Sequence, residues 1–295
     1  MEVAVQQVVN ALALGGTYAM LALGLAVVFS VMRLINFAHG ELMTVSGYAF
    51  VAAIYLELPF YLGVAMALIA GVAMAVILER AAFRRLRGSS PATLLITSFA
   101  VSIVLQTLFQ SLISPRPQPA PMPEFFSSSI ALGSLQVGSI QGISIVVTVV
   151  TLALLVGLFK YTVIGISIRA ASLDFRTTRL MGVRADVVIS LAFAISGLLA
   201  AISGFLWVAQ RGSVDPLMGF FPVLKAFIGA VLGGFGSLPG AVVGGFVLGT
   251  IETVLQATLP TRLAAFKDPL ALLIVIIILV FRPNGLVPVK VSQRS

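Results

Sequence analysis

The sequence predicts an all-α polytopic membrane protein, and three observations lead to this prediction: composition, the length of the apolar stretches and the placement of the basic residues. Hydrophobic residues fill 59% of the 295 positions and charged residues only 9%, against about 25% in an ordinary soluble domain. So few charges cannot cover the surface of a water-soluble chain, and helices that are apolar all round belong in a membrane. A soluble enzyme, a disulfide scaffold and a disordered chain are therefore excluded.

The apolar stretches predict about 8–9 transmembrane helices in a single domain, residues 1–295, because each crossing takes about 20 apolar residues. The stretches are Val8–Met32, Leu42–Leu58, Tyr61–Leu78, Ala92–Ile113, Ile143–Phe159, Val187–Val208, Pro222–Phe235, Ala241–Leu259 and Leu270–Phe281. Pro222–Phe235 is short and glycine-rich, so it is a span or a re-entrant or broken helix. The four-residue spacing of Gly63, Ala67, Gly71 and Ala75 predicts close helix packing.

The basic residues predict the orientation. Most of them fall at Arg33, in Glu79–Ser90, in Lys160–Asp186 and in the tail at Arg282, Lys290 and Arg294. The long loop Ser114–Gly142 has only Arg116. Because cytoplasmic loops carry the excess of Lys and Arg, we expect the N-terminus outside and the C-terminus in the cytoplasm.

Three polar residues, Asn36, His39 and Glu41, follow the first apolar stretch. Burying them unpaired would cost several kcal/mol. We therefore expect them to pair with one another, to cap a helix through Asn36 or His39, or to face a wet pathway. The glycine-interrupted segments Ile35–Glu41 and Gly233–Gly240 lie in opposite halves of the chain. They are either tight loops or paired breaks that flank a substrate path between internal repeats.

Other polar residues lie inside apolar stretches. Glu252 and Gln256 share a helix face, and an intramembrane carboxylate is a functional candidate. Pairing of Glu252 with an Arg of a neighbouring helix is the expected structural role. Gln106 and Gln110 predict interhelical hydrogen bonds.

The sequence argues against catalysis in this chain. Its single histidine, His39, excludes an HExxH zinc site, and the absence of cysteine excludes thiolate ligands and nucleophiles. It lacks the phosphate-binding pattern G-x-x-x-x-G-K-[ST]. We therefore predict no catalytic residue, no metal and no cofactor here, and any ATP energy must come from another polypeptide.

The segment Gly165–Asp186 is too polar to span the membrane. Read as one helix ended by Gly182, it has a basic face and a neighbouring apolar face. The basic face holds Arg169, Arg176 and Arg179, and the apolar face holds Ile166, Ala170, Leu173 and Leu180. Such a helix lies on lipid or docks into a soluble partner.

Three segments together resemble one known family. INFAHGELMTVSGY (Ile35–Tyr48) is similar to the hallmark segment of H-type permease subunits of branched-chain amino acid ABC importers. Gly165-x-x-x-Arg169-Ala170, followed by Leu180–Val183, resembles the family's cytoplasmic coupling loop. GGFGSLPGAVVGG (Gly233–Gly245) resembles its third common segment. The likeness covers nearly the whole chain, and the family also includes importers of urea and short-chain amides.

The resemblance implies an ABC importer permease bundle in a bacterial or archaeal cytoplasmic (inner) membrane. It implies a second homologous permease subunit, an extracytoplasmic binding protein, surrounding lipid and two cytoplasmic ATPases that carry ATP and magnesium, with no nucleic acid. The ATPases would bind a coupling loop at about residues 160–186. Their contact residues would be Gly165, Arg169, Ala170, Asp174, Arg176, Arg179 and Gly182. The translocation path or gate would comprise Asn36, Phe37, His39, Gly40, Glu41, Gly233, Gly234, Gly236 and Glu252.

By this resemblance the chain moves small neutral amino-acid-like solutes inward by alternating access, branched-chain amino acids foremost. Urea or short-chain amides are the alternative within the family. An ion-coupled carrier or intramembrane enzyme is the alternative outside it, although Glu252 and Lys225 are a meagre set of ionisable groups for a coupled carrier. Neighbouring genes for two ATPases, a sister permease and a binding protein would favour the importer.

Overall fold

Every predicted apolar stretch forms a helix in the computed structural model, which describes residues 2–132 and 135–287. The helices are α1 Glu2–Met32, α2 His39–Tyr55, α3 Phe60–Leu78, α4 Pro91–Leu112, α5 Glu124–Ser127, α6 Ser139–Tyr161, α7 Val163–Leu173, α8 Phe175–Leu180, α9 Ala185–Arg211, α10 Phe220–Gly234, α11 Leu238–Thr258 and α12 Lys267–Phe281. The strands are β1 Gln118–Pro119, β2 Ser129–Leu132, β3 Leu135–Gly138 and β4 Ser213–Val214.

The helices differ in whether they are long enough to cross a bilayer. Within residues 2–132 and 135–287, seven are sufficiently long and apolar. The buried helix α2 and the apolar helix α10 are shorter, at 17 and 15 residues, against about 20 for a full crossing. The prediction of 8–9 spans therefore fits seven full-length helices plus two short ones, and α10 is one continuous helix.

The short helices occupy equivalent places in an internal repeat. Each of the units α1–α2–α3 and α9–α10–α11 has a long helix, a short helix and another long helix. The third helix of each unit packs on the first helix of the other unit, since α3 packs on α9 and α11 packs on α1. Consecutive helices alternate in direction, and the first helices of the two units, α1 and α9, run in opposite directions. The two units therefore form an inverted repeat.

Small residues allow the helices of the two units to approach closely. The buried face of α3 contains Gly63, Ala67, Gly71 and Ala75, as the four-residue spacing predicts. A Cβ added to Gly71 would lie 2.6 Å from the Cβ of Ala201 on α9. Dispersion between closely packed backbones is a main source of helix association in lipid, where the hydrophobic effect contributes little.

Contacts between the loops show which loops lie at each end of the bundle. Arg87, after α3, forms a salt bridge with Asp186 at the start of α9, so both basic segments lie at one end. At the other end, β1 pairs antiparallel with β4, with Gln118 opposite Val214. The positive-inside rule makes the basic end cytoplasmic. Lys290 and Arg294 lie outside the described residues.

Candidate functional site

The polar segment after α1 is buried inside the bundle. Asn36, His39 and Glu41 are all at most 1% exposed. The residue that precedes α2 is Ala38, and no side chain caps the helix, so the capping role expected of Asn36 or His39 is wrong. Among the described residues, no hydrogen bond joins the three side chains to one another.

Neighbouring helices satisfy this polar segment only in part. One oxygen of Glu41 accepts hydrogen bonds from Ser102 at 2.8 Å and Gln106 at 2.7 Å, both on α4. His39 Nδ1 lies 3.0 Å from the Ser196 hydroxyl of α9. The second Glu41 oxygen, His39 Nε2 and the Asn36 amide group have no hydrogen-bond partner in the described part of the chain. Buried polar atoms left over in this way are typical of a site that receives water or a polar solute.

The first turn of α2 meets the start of α10 at the backbone of Gly219 and the side chain of Val223. A Cβ added to Gly40 would lie 2.8 Å from the carbonyl carbon of Gly219, and still closer to its oxygen. Gly219 is the residue that immediately precedes α10. The N-terminal ends of the two short helices, one from each repeat, are therefore in direct contact beside Glu41.

This contact bears on the two alternatives, tight loops or paired breaks, that the sequence leaves open for the glycine-interrupted segments. The break that meets Ile35–Glu41 ends at Gly219, between α9 and α10, whereas Gly233–Gly240 is a tight turn between α10 and α11. Positive φ angles at Gly234 and Gly236 shape the turn, and Leu286 and Val287 donate backbone hydrogen bonds to Leu232 and Gly233. The chain that follows α12 therefore packs against this turn.

A row of aromatic rings connects the Ile35–Glu41 segment with the Gly233–Gly240 turn. Phe37 stacks on Phe99 of α4 at 4.3 Å between ring centroids and lies 5.4 Å from Phe227 of α10. Phe227 in turn lies 5.5 Å from Phe235, and Phe235 lies 4.1 Å from Phe29. The rings give the segment a rigid apolar wall on its cytoplasmic side.

Glu252 belongs to a separate charged cluster. Its carboxylate lies 2.9 Å from Lys225 Nζ of α10 and accepts a 3.2 Å hydrogen bond from the Tyr18 hydroxyl of α1. Lys225 also pairs with Asp268 of α12 at 3.0 Å. The expected arginine partner of Glu252 is thus wrong, because the cation is a lysine. Gln106 does form the predicted interhelical hydrogen bond, with Glu41.

The coupling segment is two helices and not the single helix predicted. α7 ends at Leu173, and the Asp174 carboxylate accepts a 3.0 Å hydrogen bond from the Thr177 backbone N–H in the manner of a helix N-cap. The continuous helical face expected to carry Arg169 and Arg179 is therefore interrupted at Asp174. The side chain of Arg176 is outside the described part of the structure.

The predicted end of the segment is confirmed at Gly182. Its φ is +86°, and the N–H groups of Gly182 and Val183 donate to the carbonyls of Arg179 and Thr178. This pair of bonds is the Schellman arrangement that ends many helices. The close fit of Gly165 is a second finding, since a Cβ there would lie 2.8 Å from the carbonyl carbon of Phe159. Gly165 packs α7 against α6 and is not available to a partner.

The face of α7 and α8 turned outward is apolar. Gly165, Ile168 and Ala171 are buried against the bundle, whereas Leu173, Leu180 and Met181 are 89%, 82% and 81% exposed. Ala170 is half-buried, and Arg169 and Arg179 are exposed. The apolar face that the sequence predicts therefore points mainly away from the bundle, and it lies around the junction of α7 and α8.

Several site residues escaped the sequence analysis. Glu79 is fully buried and anchors the basic end, since it pairs with Arg87 and accepts a 2.8 Å hydrogen bond from Ser190. Ser98 and Ser102, which the sequence analysis did not single out, form a polar stripe on α4 together with the predicted Gln106. Their four-residue spacing inside an apolar helix was the available signal that this face meets a polar neighbour. No group of three His, Asp or Glu side chains suited to a metal occurs in the described ranges.

Comparisons with known proteins decide the family. Residues 7–281 match the family model described as the branched-chain amino acid transport system permease component. The chain belongs to this family. It is 33% identical to the high-affinity branched-chain amino acid transport system permease protein BraD of Pseudomonas aeruginosa, over 95% of this chain and 94% of BraD. Identity to LivH of Escherichia coli K12, a permease protein of the same description, is 32% over the same shares.

More distant likenesses concern the fold. This permease is 23% identical to the ribose import permease protein RbsC of Haemophilus influenzae, over 96% of this chain and 86% of RbsC. Among solved structures, it superposes with a TM-score of 0.52 and 18% identity on a chain from an inward-facing ABC transporter described as of metal-chelate type. That match covers 95% of this chain and 88% of the other. The apolar bundle is therefore an ABC permease fold.

Proposed function

We propose that this permease is the membrane subunit of an ABC importer that brings branched-chain amino acids across the inner membrane of a bacterium or archaeon. The observation that carries the proposal is the 32–33% identity, over 95% of the chain, to permeases named for high-affinity branched-chain amino acid transport. The shortage of charged residues in the bundle, 9% of the chain, suits a solute without net charge.

The solute path runs past the meeting point of α2 and α10. Helix N-termini carry partial positive charge and favour a carboxylate. Glu41, with one oxygen unpartnered among the described residues, favours an ammonium group. A zwitterionic amino acid supplies both charges, whereas urea supplies neither, so this pairing favours an amino acid over urea or an amide.

The contact between Gly40 and Gly219 acts as the gate of this path. It joins the two inverted repeats, and in alternating access one repeat moves against the other around a fixed site. The solute passes when the helix ends separate. Asn36, Phe37 and His39 form the wall beside this gate.

Partner subunits cover surfaces that this chain leaves exposed. α4 and α12 bury only a few residues each and flank the path, so the second permease subunit packs there. The exposed Leu173, Leu180 and Met181 enter a groove on a cytoplasmic ATPase, which binds ATP and magnesium. The extracytoplasmic binding protein docks at the β1–β4 end.

Uptake measurements in the source organism test the solute. Deleting the gene should abolish uptake of labelled leucine, isoleucine and valine, and leave urea uptake unchanged. Loss of urea uptake with normal leucine uptake would overturn the proposal in favour of the amide alternative.

A conservative variant tests the path. Glu41→Gln retains an acceptor for Ser102 and Gln106 but removes the charge, so leucine uptake should fall while the permease reaches the membrane in normal amount. Glu124→Gln, a change of the same kind in the exposed helix α5, is the matched control. Equal uptake by the two variants would remove Glu41 from the path.

A further inference from the structure

An apolar groove opens on the bundle surface between α6 and α11, with α1 at its back. Its volume is about 580 Å³. Leu155, Phe159 and Val242 are among its lining residues, and of the described side chains that line it only Lys160 and Arg169 are charged or polar.

A larger cleft of about 770 Å³ lies elsewhere on the bundle. That cleft is lined by Arg87, Arg179 and Arg184 together with Asp186 at the start of α9. The groove between α6 and α11 shares none of these residues.

The two cations of the groove have no acidic partner in the part of the chain that the structure describes. Lys160 and Arg169 are both exposed, and neither forms a salt bridge within the described ranges. Arg87 and Lys225, by contrast, each pair with two carboxylates. The positive charge at the groove is therefore available to an anion from outside the chain.

The groove and its cations lie at the depths that a phospholipid requires. Lys160 is in the last turn of α6, and Leu238 begins α11, so the charged end of the groove is the cytoplasmic end. From Lys160 the lining continues up α6 to Leu152, a rise of about 12 Å at 1.5 Å per residue. The cations thus face the headgroup layer, and the apolar walls face the hydrocarbon.

We propose that this groove binds a phospholipid with an anionic headgroup, its phosphate held by Lys160 and Arg169 and an acyl chain lying against α6 and α11. Basic pockets between transmembrane helices on the cytoplasmic side recognise such headgroups. A free phosphate ion would leave the apolar walls unfilled, and an apolar helix of a sister subunit would leave the two cations without counter-charge. An anionic lipid satisfies both parts of the groove.

Lipid binding to the assembled transporter tests this proposal. Native mass spectrometry of the complex in detergent, titrated with phosphatidylglycerol and separately with phosphatidylcholine, measures the preference for the anionic lipid. In the double variant Lys160→Gln/Arg169→Gln the preference should fall about 25-fold, since each basic residue near an anionic surface contributes about fivefold, or about 1 kcal/mol. Val243→Trp, which fills the groove and keeps both cations, should weaken binding of both lipids.

Arg282→Gln is the matched control, because Arg282 ends α12 at the same end of the bundle and does not line the groove. It should leave the preference unchanged. An unchanged preference in the double variant, or an equal loss in the control, would overturn the proposal. Loss of the ATPases from the double variant with lipid binding intact would assign the two cations to the ATPase contact and also overturn it.

Discussion

Replacing Gly40 by alanine tests whether the ends of α2 and α10 form the gate. The added Cβ would lie 2.8 Å from the carbonyl carbon of Gly219, and ordinary van der Waals contact begins at 3.4 Å. The two helix ends must therefore separate by about 0.6 Å or more. The two nearest atoms belong to the backbone of Gly219, so a side-chain rotation cannot relieve that overlap, and Val223 Cγ1 follows at 3.0 Å.

The size of the effect follows from two opposing contributions. Inserting a methyl group into a well-packed interior costs about 1–3 kcal/mol, and alanine in a helix is about 0.5–1 kcal/mol more favourable than glycine. Taken at their midpoints, the two contributions leave a net cost to the closed contact of about 1 kcal/mol, which changes the ratio of closed to open contact by about fivefold. The equilibrium should shift toward the open contact by that factor, and leucine uptake should fall.

Uptake of labelled leucine, normalised to the amount of permease in the membrane, measures this effect. Gly157→Ala in α6 is the control, because nothing lies within 4 Å of an added Cβ there, and its uptake should equal that of the wild type. Unchanged uptake in Gly40→Ala, with normal membrane levels, would refute the gate.

Three further predictions concern topology, the charged cluster and the ATPase contact. A reporter fused after Arg87 should report the cytoplasm and one inserted near Pro119 the exterior; the reverse pair would invert the orientation. Lys225→Ala should lower the thermal unfolding temperature in detergent, because leaving buried Glu252 without its cation costs about 3–5 kcal/mol, and adding Glu252→Gln should restore most of the loss. Leu180→Glu should abolish co-purification of the ATPases without reducing membrane insertion, and full retention of the ATPases would contradict the docking surface.

The apolar stretches could be predicted from the sequence because they depend on local composition. Tyr61–Leu78 was expected, and the helix runs over Phe60–Leu78. The buried face of that helix also followed from spacing, since residues four apart lie on one side. Both signals are contained within about 20 residues.

The partners of the buried polar residues could not be predicted, because they depend on which distant helices meet. Glu252 pairs with Lys225, 27 residues earlier in the chain, and Glu41 with Gln106, 65 residues later. In each case several cations or amides were equally available in the sequence. The choice is made by the packing of α10 on α11 and of α4 on α2.

The coupling segment contains a local helix-capping residue, Asp174, and the helical spacing of its arginines hid that signal in the sequence. Asp174 interrupts the arginine pattern, and aspartate competes for backbone amides and favours helix starts over helix interiors. In the structure its carboxylate accepts the Thr177 N–H, which begins a second helix. A pattern of charges at helical spacing therefore does not establish one continuous helix when a capping residue lies within it.

The inverted repeat explains why Gly40 and Gly219 lie at the interruptions of the chain that precede the two short helices. α2 and α10 are too short to cross alone, so each begins inside the bundle, and because the repeats are inverted their N-termini approach from opposite sides. The backbones can meet there only if neither residue has a side chain, which Gly40 and Gly219 satisfy. Each repeat thus places its positive helix end at the same contact, and a movement of either repeat changes that contact directly. A solute carboxylate bound there would interact with both repeats at once, which couples its presence to their relative position.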